Sequence, residues 1–255
     1  MDNDTNAFYD AIAEYYPLFY KDWETQLQRE GLSLRSIFRG RDVQSVLVTA
    51  AGVGTQAVPL AELGYEVVAT DPSAGMLRKA MQTAEGRGVL DKIRFERSSF
   101  AELPEVVGGQ YDAIICKGNA LPHLLTDDDI ETALLTFLEM LNPGGTLVIG
   151  MRDFDYFIQH RPRFLPGFDH VDDEDQEFIT FEIWEWEDGP PMIATQNLYM
   201  VKGHPKHLNA IKRSVKFRPL SVDEVKVVLL ELGYEDFQEY PDRWEQVVYV
   251  RKPKS

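Results

Sequence analysis

Residues 45–54 read Ser-Val-Leu-Val-Thr-Ala-Ala-Gly-Val-Gly. The apolar run at 45–48 is typical of a buried strand, and the two glycines predict a tight turn into the following helix. Asp71 follows Gly52 by 19 positions and ends the next predicted strand. Glycine lets the backbone approach a ligand closely, and a carboxylate at this position can accept both hydroxyls of a ribose. The stretch therefore predicts an α/β fold with a nucleoside site.

Strands and helices alternate between residues 45 and 151. Such alternation is typical of a parallel, doubly wound sheet. The predicted strands lie at 45–48, 66–70, 93–97, 111–117 and 146–151, and the predicted helices at 56–63, 73–84 and 127–141. A helix at 221–232 and a hairpin of 237–240 with 246–250 follow near the end of the chain. The predicted fold class is α/β, with a doubly wound, mostly parallel seven-stranded sheet.

The alternation stops between residues 154 and 218. Strands are predicted there at 178–186, 193–201 and 210–218, which indicates a small antiparallel sheet inserted after the fifth core strand. The first 40 residues are helical in pattern and rich in aromatic side chains. We therefore expect three units, which are a helical cap at 1–40, an α/β core at 41–153 and 219–255, and the inserted sheet at 154–218.

Charge and composition argue against several classes of protein. The chain of 255 residues has 42 acidic and 26 basic side chains and a net charge of −16. Such a charge repels nucleic acid backbones and anionic membranes, and no cluster with metal-ligand spacing is visible. The single cysteine, Cys116, fits a reducing compartment, and no signal or membrane-spanning segment is recognisable. We expect a cytoplasmic monomer or small homo-oligomer with a small-molecule partner and no nucleic acid, membrane or metal.

Three further segments resemble one enzyme family. Tyr-Asp-Ala-Ile-Ala-Glu-Tyr-Tyr at 9–16, with Asp-Trp-Glu at 22–24, resembles the opening helix of small-molecule class I S-adenosylmethionine-dependent methyltransferases. Gly-Asn-Ala-Leu-Pro-His-Leu at 118–124 is similar to the Gly-Asn-Ser-Phe-x-His-Leu stretch of glycine and glycine/sarcosine N-methyltransferases. Met-Arg-Asp-Phe-Asp at 151–155 is similar to their Arg-Asn-Tyr-Asp stretch. A parallel sheet that ends in a hairpin also favours methyltransferases over dehydrogenases.

The resemblance implies S-adenosylmethionine as the cofactor, S-adenosylhomocysteine as its product, and no metal. Arg29 would pair with the methionine carboxylate, Asp71 would bind the ribose, and Met76 would pack on the adenine. The other residues expected to contact the donor are Tyr16, Trp23, Ala50, Gly52, Gly54, Ser98, Ser99, Phe100 and Lys117.

On the acceptor side, the resemblance implies methyl transfer to a nitrogen of a small molecule. Asn119 and Arg152 would face the acceptor, and the arginine that matches Arg152 in the glycine enzymes binds the acceptor carboxylate. Tyr20 and Tyr199 are further candidates for the acceptor pocket. His123 is a candidate catalytic base, above all for an oxygen acceptor. Glycine, sarcosine, a planar nitrogen heterocycle and an oxygen acceptor all stay open.

Two departures from the family pattern keep other functions open. Val48 stands where the first strand usually carries an acidic residue, and Ser99 where an acidic residue usually holds the adenine amino group. The spacing Gly52-x-Gly54-x-x-Ala57 also satisfies the dinucleotide fingerprint, so an NAD(P)-dependent oxidoreductase is one alternative. A non-catalytic nucleoside-binding protein on a methyltransferase fold is the other.

Overall fold

The computed structural model describes residues 3–171, 175–243 and 245–254. The strands within these residues form two sheets. They are β1 Ser45–Thr49, β2 Glu66–Asp71, β3 Ile93–Arg97, β4 Tyr111–Cys116, β5 Leu141–Met151, β6 Phe164–Val171, β7 Glu177–Glu187, β8 Ile193–His204, β9 His207–Phe217, β10 Glu235–Tyr240 and β11 Gln246–Arg251.

The central sheet has seven strands in the order β10-β11-β5-β4-β1-β2-β3. Strands β1 to β5 run parallel, whereas β11 runs antiparallel to both β5 and β10. The predicted doubly wound, mostly parallel sheet that ends in a hairpin is confirmed. The carboxyl ends of β1, β2, β4 and β5 therefore meet at one edge, which is where ligands bind in sheets of this kind.

Helices cover both faces of the central sheet. The α-helices in the described residues are α1 Asn3–Ile12, α2 Trp23–Ile37, α3 Ala57–Glu62, α4 Ala74–Gly86, α5 Leu103–Val106, α6 Asp127–Met140, α7 Phe154–His160 and α8 Val222–Glu231. Leu47 of β1 packs in one core cluster with α1, α6 and α8, and its neighbours Val46 and Val48 pack in another with α2 and α3. Successive strand residues point to opposite faces, so both faces of β1 are buried and the strand is apolar throughout. Within the described part of the chain, every helix is too short or too polar to cross a membrane.

The start of β5 differs from the sequence prediction. Residues 142–145, Asn-Pro-Gly-Gly, predict a turn before the strand, yet β5 begins at Leu141. Leu141 pairs with Tyr111, and pairing resumes with Thr146 opposite Ala113, so the turn residues bulge the strand instead of preceding it. Gly144 makes this possible with a φ of 77°, which glycine adopts without strain.

The inserted sheet has four strands, in the order β6-β7-β8-β9, where the sequence predicts three. The strand that the sequence does not reveal is β6, because Pro166 and Gly167 interrupt its pattern. Because β6 is an edge strand, its proline removes no ladder hydrogen bond from the sheet interior. The pairing of β6 with β7 shifts register between Pro166 and Asp169.

The N-terminal segment is helical, as predicted, but it is not one helix. Residues Ala13–Phe19 form a 3-10 helix between α1 and α2. Asp10 fastens α1 to the start of α4, since its Oδ1 accepts hydrogen bonds from Ser73 Oγ and Gly75 N, both at 2.6 Å. A Cβ at Gly75 would lie 2.9 Å from Asp10 Oδ1, so glycine permits this close approach. The division of the chain into a cap, a core and an inserted sheet stays a prediction.

Candidate functional site

The glycine turn and Asp71 lie together at the carboxyl ends of β1 and β2. Ala50, Gly52 and Gly54 have φ values of 50°, 57° and 91°. Asp71 holds the turn in place, because its Oδ2 accepts a hydrogen bond from Gly52 N at 2.8 Å and its Oδ1 accepts one from Ser73 N at 2.9 Å. A Cβ at Gly52 would have no neighbour within 4 Å in the described structure. The turn therefore presents accessible backbone to a ligand.

The Asp71 carboxyl group is buried, and burial raises its pKa to about 6. The hydrogen bonds from Ser73 and Gly52 oppose this increase, and the charge of Asp10 adds to it. A carboxylate has lone pairs for about four hydrogen bonds, so Asp71 can still accept from two ligand hydroxyls. Because hydrogen bonds stabilise the ionised form, such a ligand would lower the pKa of Asp71.

A buried ionic cluster, formed by Glu30, Lys117 and Glu245, lies beside the glycine turn. Lys117 Nζ lies 2.6 Å from Glu30 Oε2 and 3.3 Å from Glu245 Oε2. Gln56, just after the turn, donates to the same Glu30 oxygen at 3.3 Å, and Gly118 N donates to Glu245 Oε1 at 3.0 Å. Burial lowers the pKa of Lys117, but the two carboxylates outweigh burial and raise it well above its usual value. The lysine is therefore charged although its side chain is only 1% exposed.

Arg29 lies at the edge of this ionic cluster. Its two terminal nitrogens are 3.6 Å from Glu30 Oε1 and 3.9 Å from Asp242 Oδ1. Its Nε is buried and has no hydrogen-bond partner among the described residues. Buried N–H groups are normally paired, so this donor suits an anionic group of a ligand. Pairing with a methionine carboxylate, as expected from the sequence, requires such a donor.

Three tyrosines of the N-terminal segment lie near these charges. Burial raises the pKa of Tyr16 to about 12, and the charges of Glu245 and Asp71 act in the same direction. Burial also raises the pKa values of Tyr9 and Tyr20 well above their usual value. All three hydroxyls are therefore protonated at neutral pH and can donate hydrogen bonds.

His123 is buried behind Tyr9. Its Nδ1 lies 3.0 Å from Lys216 O, and its Nε2 lies 2.7 Å from the Tyr9 hydroxyl. A carbonyl oxygen can only accept, so in the neutral ring Nδ1 carries the hydrogen and Nε2 accepts from Tyr9. The ring also packs on Phe217, with centroids 4.2 Å apart. His123 can therefore accept a proton at Nε2 from the Tyr9 hydroxyl.

Asn119 and Arg152 are brought together after β4 and β5, and both are engaged by the protein itself. Asn119 has a φ of 66°, and its Oδ1 accepts a hydrogen bond from Arg152 N. The Arg152 guanidinium donates to both oxygens of Glu182, at 2.8 and 3.3 Å. The residue expected to bind an acceptor carboxylate therefore binds a carboxylate of β7.

The residues expected to surround the adenine have local structural roles. Ser99 is the N-cap of the 3-10 helix Phe100–Glu102 and forms a capping box with Glu102. Glu102 Oε2 accepts hydrogen bonds from Ser99 N at 3.0 Å and from Ser99 Oγ at 2.6 Å. Ser98 Oγ donates to Ser99 O at 2.9 Å. Met76 and Phe100 are buried in the core, at 1% and 6% exposure. The cap explains in local terms why a serine is stable at position 99.

Trp23 is the first residue of α2, and its ring centroid lies 5.4 Å from that of Tyr20.

Tyr199 does not join the other candidate residues. It pairs with Phe181 across β7 and β8, and the two rings stack with centroids 4.8 Å apart. Glu182 follows Phe181, so its side chain points to the other face of the inserted sheet. Strand register therefore places the Tyr199 ring on the face of the inserted sheet opposite Glu182, which binds Arg152. The role of Tyr199 in an acceptor pocket stays a prediction.

Sequence reasoning missed three carboxylates, of which Glu30 is buried and Glu182 and Glu245 are partly buried. A helical stripe could have revealed Glu30, which lies three positions after buried Leu27 and four before buried Leu34. Strand alternation could have revealed Glu182, which shares a face with the buried residues Thr180 and Trp184. Glu245 lies in the loop between β10 and β11, where no periodicity marks a buried side chain.

Residues 46–145 match the protein family described as a methyltransferase domain. This stretch is therefore similar to a methyltransferase domain. The matched region runs from β1 into β5 and includes the glycine turn, Asp71 and Lys117.

Curated relatives of this methyltransferase domain include glycine/sarcosine N-methyltransferases. The chain is 34% identical to the enzyme from Halorhodospira halochloris over 139 residues, which is 54% of this chain and 51% of the relative. It is 25% identical to the enzyme from Aphanothece halophytica over 224 residues, 87% of this chain and 77% of the relative. The chain spans about half or less of the length of the first curated relatives it matches.

Solved structures share the fold over nearly the whole chain. An S-adenosylmethionine-dependent methyltransferase from Clostridium acetobutylicum aligns with a TM-score of 0.73 at 16% identity, over 89% of this chain and 92% of that protein. Streptomyces venezuelae DesVI aligns with a TM-score of 0.77 at 16% identity, over 93% of this chain and 97% of DesVI. The fold around the methyltransferase domain is therefore that of class I methyltransferases.

Proposed function

We propose that this chain is an S-adenosylmethionine-dependent methyltransferase that transfers a methyl group to a nitrogen of a small molecule. The observation that carries the proposal is the glycine turn held by Asp71 at the carboxyl edge of the central sheet, inside the methyltransferase domain. The relatives named glycine/sarcosine N-methyltransferase support nitrogen over oxygen as the acceptor atom.

The side chains at this edge fit the methyl donor. Asp71 would accept from the ribose hydroxyls, and the unpaired Nε of Arg29 would donate to the methionine carboxylate. Glu30 and Glu245 carry the negative charge that the donor's ammonium group needs. Glu30 thereby supplies from α2 a carboxylate that β1 lacks at Val48.

S-adenosylmethionine supplies a methyl group on a sulfonium, which is already a strong electrophile. The task of the protein is then to align the acceptor nitrogen with that methyl group and to keep water away. The N-terminal segment serves both purposes, because α1 is fastened to α4 by Asp10 and its Tyr9 is bonded to His123. Asn119 holds the backbone after β5 in register with the loop after β4.

The acceptor nitrogen must lose a proton at some stage of the reaction. We assign this proton to the Tyr9–His123 pair, in which the tyrosine hydroxyl already donates to His123 Nε2. The amine proton moves to Tyr9 Oη while the hydroxyl proton moves to His123 Nε2. His123 can accept it because its Nδ1–H stays bonded to Lys216 O.

We also propose a cytoplasmic monomer or small homo-oligomer that does not bind nucleic acid. The net charge of −16 supports this proposal, since it repels phosphate backbones. The antiparallel strand β11 and the names of the relatives favour a methyltransferase over an NAD(P)-dependent oxidoreductase.

Methyl transfer from a tritium-labelled donor to a panel of small amines tests the proposal. We expect labelled amine product, and we expect Asp71→Asn to lower the rate about tenfold or more at limiting donor, as for loss of a charge-assisted hydrogen bond. Asp223→Asn, an exposed change on α8, serves as the control and should leave the rate unchanged. If S-adenosylhomocysteine binds but no amine is labelled, the non-catalytic alternative replaces the proposal.

A further inference from the structure

The Arg152–Glu182 pair has the geometry of a bound acceptor carboxylate, but both partners belong to this chain. Two guanidinium nitrogens meet two carboxylate oxygens at 2.8 and 3.3 Å. Bidentate pairing of this kind is the strongest way in which arginine recognises a carboxylate. The side chains are 27% and 16% exposed, so the pair is largely removed from water.

Glu182 is held by more than Arg152. Trp184 Nε1 donates to Glu182 Oε2 at 2.8 Å, and the Gln196 side chain also hydrogen-bonds the carboxylate. Burial raises the pKa of Glu182, but the charge of Arg152 and these hydrogen bonds outweigh burial and hold it below its usual value. Glu182 is therefore ionised, and its oxygens are supplied with donors from within the protein.

The Arg152 guanidinium is also held by contacts other than Glu182. Its guanidinium carbon lies 5.2 Å from the ring centroids of both Phe157 and Trp184. Contacts of a guanidinium with aromatic rings add to its stabilisation when they are shielded from water. The Arg152 guanidinium, which would otherwise bind an acceptor carboxylate, thus already contacts two aromatic rings and the Glu182 carboxylate.

We propose that Glu182 takes the place of the acceptor's carboxylate, and that the acceptor is consequently an amine with a neutral group where glycine and sarcosine carry a carboxylate. This inference rests on the proposed methyltransferase function. Glu182 is then a specificity-determining residue, which rejects amino acids by repulsion and by occupying Arg152.

The charges explain why amino acids are rejected. An acceptor carboxylate at Arg152 either displaces Glu182, which leaves a mostly buried carboxylate without its cation, or stands beside it, which places two negative charges on one guanidinium. Both arrangements are unfavourable because buried charges need paired partners. A neutral amide, hydroxyl or ring in the same place neither displaces Glu182 nor adds a second negative charge beside it.

Matched acceptors test the proposal in the wild-type protein. Methyl transfer is measured with glycine against glycinamide and with sarcosine against sarcosinamide. We expect kcat/KM, expressed per concentration of deprotonated amine, to be about tenfold or more higher for the amide than for the acid. An acid that reacts as fast as its amide, or faster, overturns the proposal.

A binding measurement decides the matter without turnover. The indole N–H signal of Trp184, assigned with Trp184→Phe, reports on the Glu182 carboxylate by nuclear magnetic resonance. Titration with sarcosine should shift the Trp184 signal of Glu182→Gln to saturation. The Kd for sarcosine should be about tenfold or more lower in Glu182→Gln than in the wild type. Glu185→Gln, a change at an exposed neighbour, serves as the control and should bind sarcosine as weakly as the wild type. Saturable binding to the wild type that Glu182→Gln does not strengthen overturns the proposal. If Glu182→Gln does not fold, the amide-to-acid ratio of the wild type decides. Failure of S-adenosylhomocysteine to bind in a separate titration would count against the methyltransferase function, not against this charge assignment.

Discussion

Replacing Lys117 with methionine would leave Glu30 and Glu245 buried without the cation between them. Methionine keeps the length and the apolar stem of the side chain but removes the ammonium group, which lies 2.6 and 3.3 Å from the two carboxylates. Removing one partner of a buried ion pair costs about 3–5 kcal/mol. For a chain of this size that cost corresponds to a fall in Tm of roughly 6–20 °C.

The effect should depend on pH in a defined direction. Burial already raises the pKa of Glu245, and Lys117 opposes that increase, so the pKa rises further in the variant. A carboxyl group whose pKa is higher in the folded than in the unfolded protein binds more protons when folded. Its contribution to stability is therefore present at low pH and is lost as the pH rises from the unfolded value of about 4.3 through the folded pKa. We expect a smaller loss at about pH 5 than at about pH 8.

Urea unfolding of five proteins at both pH values measures this loss. Four of them are the wild type, Lys117→Met, Glu30→Gln and the double variant. A fifth protein, Lys92→Met, is an exposed control measured in the same way. The double variant should be more stable than Lys117→Met alone, because it carries one buried carboxylate fewer. A loss below about 1 kcal/mol for Lys117→Met at both pH values would refute the reasoning, since such a value is typical of exposed ion pairs.

Three further predictions follow from other contacts. The pKa of Asp71 is about 6, so the affinity for S-adenosylhomocysteine should fall as the pH drops below that value, because the protonated carboxyl group is a weaker hydrogen-bond acceptor than the carboxylate. A flat calorimetric profile from neutral pH to about pH 5 would contradict this. Gly75→Ala should loosen α1, because its Cβ would lie 2.9 Å from Asp10 Oδ1. Limited proteolysis should then cut residues 3–19 faster than in the control Gly86→Ala, where a Cβ would have no neighbour within 4 Å among the described residues. Tyr9→Phe should slow methyl transfer with little change in donor affinity and cost about 1 kcal/mol of stability, whereas an unchanged rate would remove the Tyr9–His123 pair from the mechanism.

The fold was largely predictable from sequence because its signals are local. Strands β1, β2 and β4 are short, mainly apolar runs that are followed by a turn signal. Ser221 with Glu224 forms the expected capping box at α8. The errors lie where a glycine or proline allows more than one outcome. Residues 142–145 bulge β5, and Pro166 and Gly167 conceal β6, since the pattern alone does not say whether such residues end a strand or bend it.

The site was predictable where residues close in sequence supply both the backbone that faces a ligand and the side chain that holds this backbone in place. The glycine turn and Asp71, which accepts a hydrogen bond from Gly52 N, are such residues. The charges that complete the site come from distant elements, with Glu30 on α2, Glu182 on β7 and Glu245 between β10 and β11. Their partners are set by tertiary packing, so the sequence identified Arg152 and Lys117 but not the carboxylates that neutralise them.

Calorimetric titration of ligand-stripped protein with S-adenosylhomocysteine, with NAD as the parallel control, tests the central claim most directly. We expect S-adenosylhomocysteine to bind with a Kd on the order of micromolar and NAD not to bind. Asp71→Asn should weaken the binding of S-adenosylhomocysteine, and Asp223→Asn should leave it unchanged. Binding of NAD alone would identify the glycine turn as a dinucleotide site, and binding of neither would contradict the assignment of Asp71, Arg29 and the Lys117 cluster to a methyl donor.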